Sequence, residues 1–231
     1  MAAGKPRANH SPEVSELLCR VACLGAVTAE GLAAHRRCSV ASARGCLLAA
    51  QRLGLVSRWR PLVGKPSLYT VTQRGLRSAG VSGIAPARVS AVNAGHALAC
   101  SRAVASLERA YPHHRVLGEP EFRRREREHG GLLYSVLMSR AGGAGSLHRP
   151  DLVLEADDSR GVMPTAVEVE LTVKAPRRLV AICRAWARCR HLAGVIYVAT
   201  AEVEVPLARA IESAQAGGRI VQLRIDSLDG I

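Results

Sequence analysis

Two short segments with the alternation of β-strands carry acidic residues among apolar ones. Asp151 opens the segment DLVLE, and Glu168 and Glu170 lie within AVEVELTVK. In the second segment the period of two puts Glu168, Glu170, Thr172 and Lys174 on one face and the apolar residues on the other. Carboxylates on an otherwise apolar strand are costly to bury without a ligand or a partner. The pattern therefore predicts two strands of one sheet whose acids form a functional site.

The same acids also have a purely structural interpretation. Glu168 and Glu170 would then be solvated carboxylates on an edge strand, matched in charge by Arg177 and Arg178. Both interpretations are open at the level of the sequence.

The second half of the chain alternates between strand and helix patterns. We expect strands over 151–155, 166–172, 194–200 and 219–225, helices over 177–191 and 205–218, and a long helix over 93–109. The glycine-rich stretch AGGAGS (141–146) is expected to be a loop. This order predicts an α+β or α/β fold, with a mixed sheet flanked by helices in a domain over 93–231.

The N-terminal part begins with three helix signals. Ser11 precedes Pro12, Thr28 and Ser39 are typical N-caps, and Gly25 is a stop. Two strand-like segments then follow around the turn PLVGKP, and a short helix closes the series. Helix, helix, helix and hairpin in this order predict a winged helix-turn-helix over 11–80. Residues 1–10 are expected to be a disordered basic arm and 81–92 a linker.

The charge is concentrated in the N-terminal part. Residues 1–80 carry 12 Lys and Arg against 3 Asp and Glu, a net charge of +9, whereas residues 81–231 carry 20 against 16, a net charge of +4. Such an excess favours a polyanion, and we expect DNA as the partner. A genome rich in GC, which favours arginine codons, and a protein-binding winged helix are the alternatives. The expected DNA-contacting residues are Arg36, Arg37, Ser39, Ser42, Arg44, Arg58, Arg60 and Lys65.

Cysteine usage and hydropathy indicate the compartment. The seven cysteines form no C-x-x-C pair, and no apolar run is long enough to span a membrane. We therefore expect a cytoplasmic protein with no membrane partner, no disulfide framework and no structural zinc. A homodimer is left open.

Several motifs together resemble known families. HRPDLVL and VEVELTVKAPRRL resemble the PD-(D/E)XK nuclease superfamily. With ELLCRVACLGAVTAEGLA, LYTVTQRGL, NAGHALACSRAVASLERA and VLGEPEF, the chain looks like the actinobacterial replication-relaxation family of plasmid and mobile-element proteins. The resemblance spans residues 16–179 and implies a winged helix followed by a PD-(D/E)XK nuclease-like domain.

The resemblance also implies roles for individual residues. Asp151 and Glu168 match the acids that bind a metal, here Mg²⁺, and Glu119 lies where an earlier acid often completes that site. The lysine of the superfamily is replaced by Glu170, which would then act as a further ligand or base. Lys174 is the remaining candidate for the lysine, about 13–14 Å beyond Glu170 on an extended strand. It would reach the site only if the strand bends or if a helix begins near Pro176.

Three functions remain open from the sequence. The first is a Mg²⁺-dependent endonuclease acting in DNA replication or relaxation, with Asp151, Glu168, Glu170 and Lys174 as catalytic residues. The second is a non-catalytic DNA-binding regulator or replication accessory with a degenerate nuclease domain. The third is an adaptor that binds another protein.

Overall fold

The computed structural model describes residues 11–140, 143–157 and 161–229. The predicted basic arm, 1–10, lies outside the described residues. The chain divides into two compact units, Met1–Ser101 and Arg102–Ile231. Within 81–92, which the sequence predicted as a linker, Val81 and Ile84 pack against the core of the first unit. Together, the described residues form a mixed α+β structure, as expected.

The first unit contains four helices, a small sheet and the start of a fifth helix. Their bounds are α1 Pro12–Leu24, α2 Ala29–Arg36, α3 Val40–Arg52, β1 Val56–Trp59, β2 Leu68–Val71, α4 Gln73–Ser78 and α5 Ala91–Ala110. Strands β1 and β2 pair antiparallel. Thr28, Ser39 and Thr72 each accept a hydrogen bond from a backbone N–H three residues later. These caps satisfy donors that helix starts leave unpaired, so the helices begin where the sequence predicted.

The core of this unit is built from small aliphatic side chains of all its helices and both strands. Fully buried members include Leu18 and Val21 of α1 and Leu47 of α3. The helical spacing of the sequence predicts Cys46 and Leu53 on the same inward face as Leu47, but both are exposed. Cys46 lies at the edge of the buried stripe, about 100° around the helix from Leu47, and Leu53 is the C-cap, beyond the last full turn.

The second unit is built around a five-stranded mixed sheet. Its strand order is β3-β6-β7-β8-β9, in which β7 is central. Strands β3 and β6, and β6 and β7, pair antiparallel, whereas β7, β8 and β9 run parallel. The bounds are β3 His114–Gly118, α6 Glu119–His129, β4 Val136–Arg140, β5 Gly143–His148, β6 Leu152–Ala156, β7 Thr165–Glu170, α7 Pro176–Arg188, β8 Gly194–Ala199, α8 Ala201–Ser213 and β9 Ile220–Arg224. A 3₁₀ turn, Ile225–Asp229, follows β9.

Helices α7 and α8 are the crossovers that parallel strands require. Helix α7 joins β7 to β8, and α8 joins β8 to β9; the two helices pack against each other. Leu179, Ile182, Cys183 and Trp186 lie on the buried side of α7. This spacing of three and four residues is the one that predicted the helix from sequence.

The glycine-rich stretch differs from the expectation. Ala141 and Gly142 lie outside the described residues, but Gly143–His148 is strand β5 and not a loop. It pairs antiparallel with β4, which supplies its backbone hydrogen-bond partners. At Gly145 a Cβ would come within 2.9 Å of the Met138 carbonyl oxygen, so this strand needs glycine for close approach.

Helix α6 is stabilised by ion pairs. Arg124 bonds to Glu121 and Glu128, and Arg125 bonds to Glu121 and to Glu155 of β6. Burial alone would raise the pKa of Glu121, but hydrogen bonds from Arg124 and Arg125 hold it below its usual range. These two arginines therefore stabilise the fold. Among the described residues, no helix combines the length and the apolar character needed to cross a membrane.

Candidate functional sites

Four basic residues of the first unit line one open cleft. Arg44 comes from α3, Arg58 from β1, and Arg60 and Lys65 from the connection to β2; the cleft has a volume of about 710 Å³. Glu30 is the one acidic residue among the described residues that line it. Its carboxylate lies 3.7 Å from the Arg44 guanidinium, and both side chains are about half exposed. The cleft is therefore cationic and open to solvent.

Ser67 and Tyr69 position the two arginines of the hairpin. The Ser67 hydroxyl oxygen accepts from Nε of Arg58 at 3.0 Å and from Nε of Arg60 at 3.3 Å. Arg58 pairs with Tyr69 across the sheet, and its guanidinium lies 5.9 Å from the Tyr69 ring centre. Both bonds to Ser67 use Nε. The terminal nitrogens of the two guanidinium groups have no hydrogen bond or ion pair within the described part of the chain.

The other four predicted DNA contacts lie outside this cleft. The Arg36 guanidinium donates to the Glu13 carbonyl oxygen at 2.9 Å. Arg37 is the C-cap of α2, with a left-handed φ of 52°. Ser39 caps α3 by accepting from the Ser42 amide. Arg36, Arg37 and Ser39 thus have local structural roles, and these three residues and the exposed Ser42 stay predicted contacts.

The two glutamates of β7 are buried in the middle of the second unit's sheet. Glu168 is 4% exposed and Glu170 is 5% exposed. Because β7 is flanked by β6 and β8, the interpretation as solvated carboxylates of an edge strand is wrong. Their hydrogen-bonded partners are His148 and Lys174, not Arg177 and Arg178.

Asp151 is hydrogen-bonded to the two residues that flank Glu168 in the sequence, Val167 and Val169. Its amide donates to the Val167 carbonyl oxygen at 3.0 Å, and its carboxylate accepts from the Val169 amide at 2.7 Å. The two acids that the sequence predicted to act together are therefore adjacent. The Asp151 carboxylate takes the place of a backbone acceptor where the pairing of β6 with β7 ends.

His148, at the end of β5, is the partner of Glu168. Its Nε2 lies 2.7 Å from Glu168 Oε1, and its ring meets that of Trp186 edge to face at 5.5 Å. Burial raises the pKa of Glu168, the nearby Asp151 raises it further, and the bond to His148 opposes this shift. The carboxyl group of Glu168 therefore has a hydrogen-bonded partner within the chain.

Buried polar side chains of α7 and β8 surround Glu168. Tyr197 pairs with Glu168 across β7 and β8, and burial raises its pKa well above the usual value. Burial and the Glu168 charge raise the pKa of the Cys183 thiol to about 11. Burial away from solvent explains why Glu168 has a close partner.

Lys174 reaches Glu170, contrary to its expected position on an extended strand. Strand β7 ends at Glu170, and α7 begins at Pro176, so the chain turns back within five residues. The Lys174 ammonium donates to Glu170 Oε2 in a short ion pair. Burial lowers the pKa of Lys174, while the charges of Glu168 and Asp151 oppose this shift. Because the chain bends here, Lys174 lies close to Asp151, Glu168 and Glu170, which together form an acid cluster.

Glu119 is not drawn into this cluster. It is the first residue of α6, its side chain is 52% exposed, and it pairs with Arg123 one turn later at 3.2 Å. Its predicted role as a metal ligand has no supporting contact in the structure, and it stays a prediction.

The acid cluster as it stands does not fit Mg²⁺. Carboxylate oxygens are the donors that this ion prefers. However, Glu168 is bonded to His148, Glu170 to Lys174, and Asp151 to the Val169 amide. Over 11–140, 143–157 and 161–229, no group of three or more His, Cys, Asp or Glu side chains is arranged to hold a metal ion. Magnesium binding would require these pairs to open.

Two residues of these sites were not assigned from the sequence. Ser67 directly precedes β2, and nothing in its sequence surroundings distinguishes it from Ser57, the other serine of the hairpin. His148 lies three residues before Asp151, and its proximity to the acid motif was the only available signal. The contact with Glu168, 20 residues away, depends on how β5 lies against β7.

Comparisons with models of protein families, with curated proteins and with solved structures gave no match to this chain.

Proposed function

We propose that this chain is a DNA-binding protein whose first unit is a winged helix-turn-helix. The cleft formed by Arg44, Arg58, Arg60 and Lys65 would hold the phosphate backbone. The convergence of these four cations on one open surface carries the proposal. Lys and Arg contacts to phosphates supply most of the affinity of such proteins.

The source of the DNA rests on the resemblance to replication-relaxation proteins. It favours plasmid or mobile-element DNA, with the second unit as a nuclease-like scaffold.

The salt dependence of binding to a 24-bp duplex tests the proposal. We expect Arg58→Gln/Arg60→Gln to reduce affinity about tenfold or more in 0.1 M salt and to lower the slope of log K against log salt by about 1.8. Arg74→Gln/Arg77→Gln is the matched control, because it removes the same charge from exposed positions of α4, outside the cleft. Equal losses in both double variants would show only general attraction. If the unsubstituted protein does not bind DNA, the proposal fails and the adaptor function is favoured.

Phosphodiester cleavage is the second candidate function. It is favoured by the position of Asp151 beside Glu168 and of Lys174 beside Glu170. Incubation of supercoiled plasmid with the protein, with Mg²⁺ or with EDTA, decides it. Nicking that requires Mg²⁺ and is lost in Asp151→Ala supports an endonuclease. Intact plasmid together with salt-sensitive binding supports the non-catalytic regulator.

A further inference from the structure

The cleft offers cations but no surface on which a base can stack. Tyr69 is the one aromatic side chain among its described lining residues, and it is 1% exposed beneath the Arg58 guanidinium. Proteins that bind single strands combine a basic groove with exposed aromatic rings. The cleft therefore matches a backbone whose bases are already paired.

The exposed N-terminal turns of α3 offer few groups that can recognise a base. Ala41 and Gly45 have no side-chain donor, and a Cβ added at Gly45 would meet nothing within 4 Å. The Ser39 hydroxyl oxygen caps the helix. Arg44 is the one arginine in these turns, and its guanidinium lines the cleft beside Glu30. Direct reading of a base pair relies mainly on Arg, Lys, Asn or Gln at this end of the helix.

The hairpin instead holds its cations in a fixed arrangement. Ser67 bonds to Nε of both Arg58 and Arg60, and this orients two guanidinium planes from one hydroxyl group. Guanidinium groups fixed in this way suit phosphate oxygens, which position a protein on a duplex and carry no sequence information. Ser67 is thus a positioning residue that acts through the two arginines.

We infer that the cleft binds double-stranded DNA through its phosphates and with little preference for sequence. This inference deepens the proposed function and rests on it. It also assigns Ser67 to the binding machinery, as a positioning residue that acts through Arg58 and Arg60.

The experiment compares the full chain on three unrelated 24-bp duplexes, their single strands and an RNA duplex of one of these sequences. We expect affinities for the three DNA duplexes to agree within about threefold, because phosphate contacts are common to all. Single strands and duplex RNA should bind about tenfold or more weakly. Ser67→Ala should weaken binding to all three DNA duplexes by the same factor, whereas the control Ser57→Ala, also on the hairpin, should not.

The outcomes that overturn the inference differ from the one that overturns the proposed function. A sequence selected from a random duplex library that binds about 100-fold more tightly than the library average would show base recognition. Equal or tighter binding of single strands or of duplex RNA would show that the substrate class is wrong. If Ser67→Ala binds the DNA duplexes with the same affinity as Ser57→Ala, Ser67 has no positioning role. Absence of binding to every nucleic acid would refute DNA binding itself.

Discussion

Replacing Lys174 by methionine should expose the cost of leaving Glu170 buried without a cation. The Glu170 side chain is 6% exposed and that of Lys174 is 29% exposed. Breaking a fully buried ion pair costs about 3–5 kcal/mol. Because water can reach the lysine, we expect a smaller loss of about 1–3 kcal/mol in the free energy of unfolding of the second unit. Methionine keeps most of the side-chain volume, so packing changes little.

A double-mutant cycle in urea measures this loss. Trp186 of α7 is fully buried in the second unit, whereas Trp59 belongs to the first. In a Trp59→Phe background, the fluorescence of Trp186 therefore follows the second unit. We expect Lys174→Met/Glu170→Gln to be more stable than Lys174→Met, with a coupling energy of about 1–2 kcal/mol.

Arg209, at an exposed position of α8 in the same unit, supplies the control for this cycle. Arg209→Met should change stability by less than about 0.5 kcal/mol, as surface substitutions usually do. If Lys174→Met costs no more than this control, or if the two substitutions at the site are additive, Glu170 does not depend on Lys174. The interpretation that Lys174 neutralises the buried charge of Glu170 would then be wrong.

Two further predictions concern stability. Gly75→Ala should destabilise the first unit by about 3 kcal/mol, since the new Cβ would lie 2.2 Å from the Leu55 carbonyl oxygen. Gly45→Ala, in open space on α3, should stabilise it by about 0.5–1 kcal/mol; similar thermal midpoints for the two variants would contradict this. Hydrogen bonds from Arg124 and Arg125 outweigh the effect of burial and lower the pKa of Glu121 in the folded protein. The ionised Glu121 therefore stabilises the fold above pH 4.5, near its unfolded pKa, and this stabilisation is lost as pH falls through the lower folded pKa. Glu121→Gln should therefore lose less stability than the unsubstituted protein below pH 4.5 in acid titrations, and parallel curves would refute this.

The first unit was predictable because its signals are local. Thr28 and Ser39 each satisfy an amide three residues away, so the cap and the helix start are encoded together. The hairpin is likewise marked by a turn between two alternating segments. Side-chain direction was less certain, as Cys46 and Leu53 show, since an alanine-rich helix has a weakly defined apolar stripe.

The second unit required information from outside each segment. Strand β5 is rich in glycine and resembles a loop, yet its pairing with the neighbouring β4 determines its structure. Helix α6 depends in part on Glu155, which lies 30 residues beyond Arg125. Such pairings have no local signature, so the sequence pattern did not reveal them.

The candidate sites also depend on contacts that the local sequence pattern does not show. The acids of β6 and β7 were found because carboxylates on apolar strands are unusual. Their partners were missed or misplaced, because His148 reaches Glu168 only through the packing of β5, and Lys174 reaches Glu170 only through the bend before α7. The unusual position of the two glutamates was therefore recognisable from the sequence, whereas their hydrogen-bonded partners, His148 and Lys174, were not.

The two sites differ in what must change before each could act. A metal ion would have to compete with His148 for Glu168 and with Lys174 for Glu170, in an environment where burial already raises the pKa of Glu168. Each displaced partner would leave a charge or a donor to be satisfied elsewhere. The cations of the N-terminal cleft face solvent, and the terminal nitrogens of Arg58 and Arg60 need no rearrangement to meet a phosphate. The proposed DNA binding would therefore need no opening of these pairs, whereas the proposed cleavage would first require the acid cluster to open.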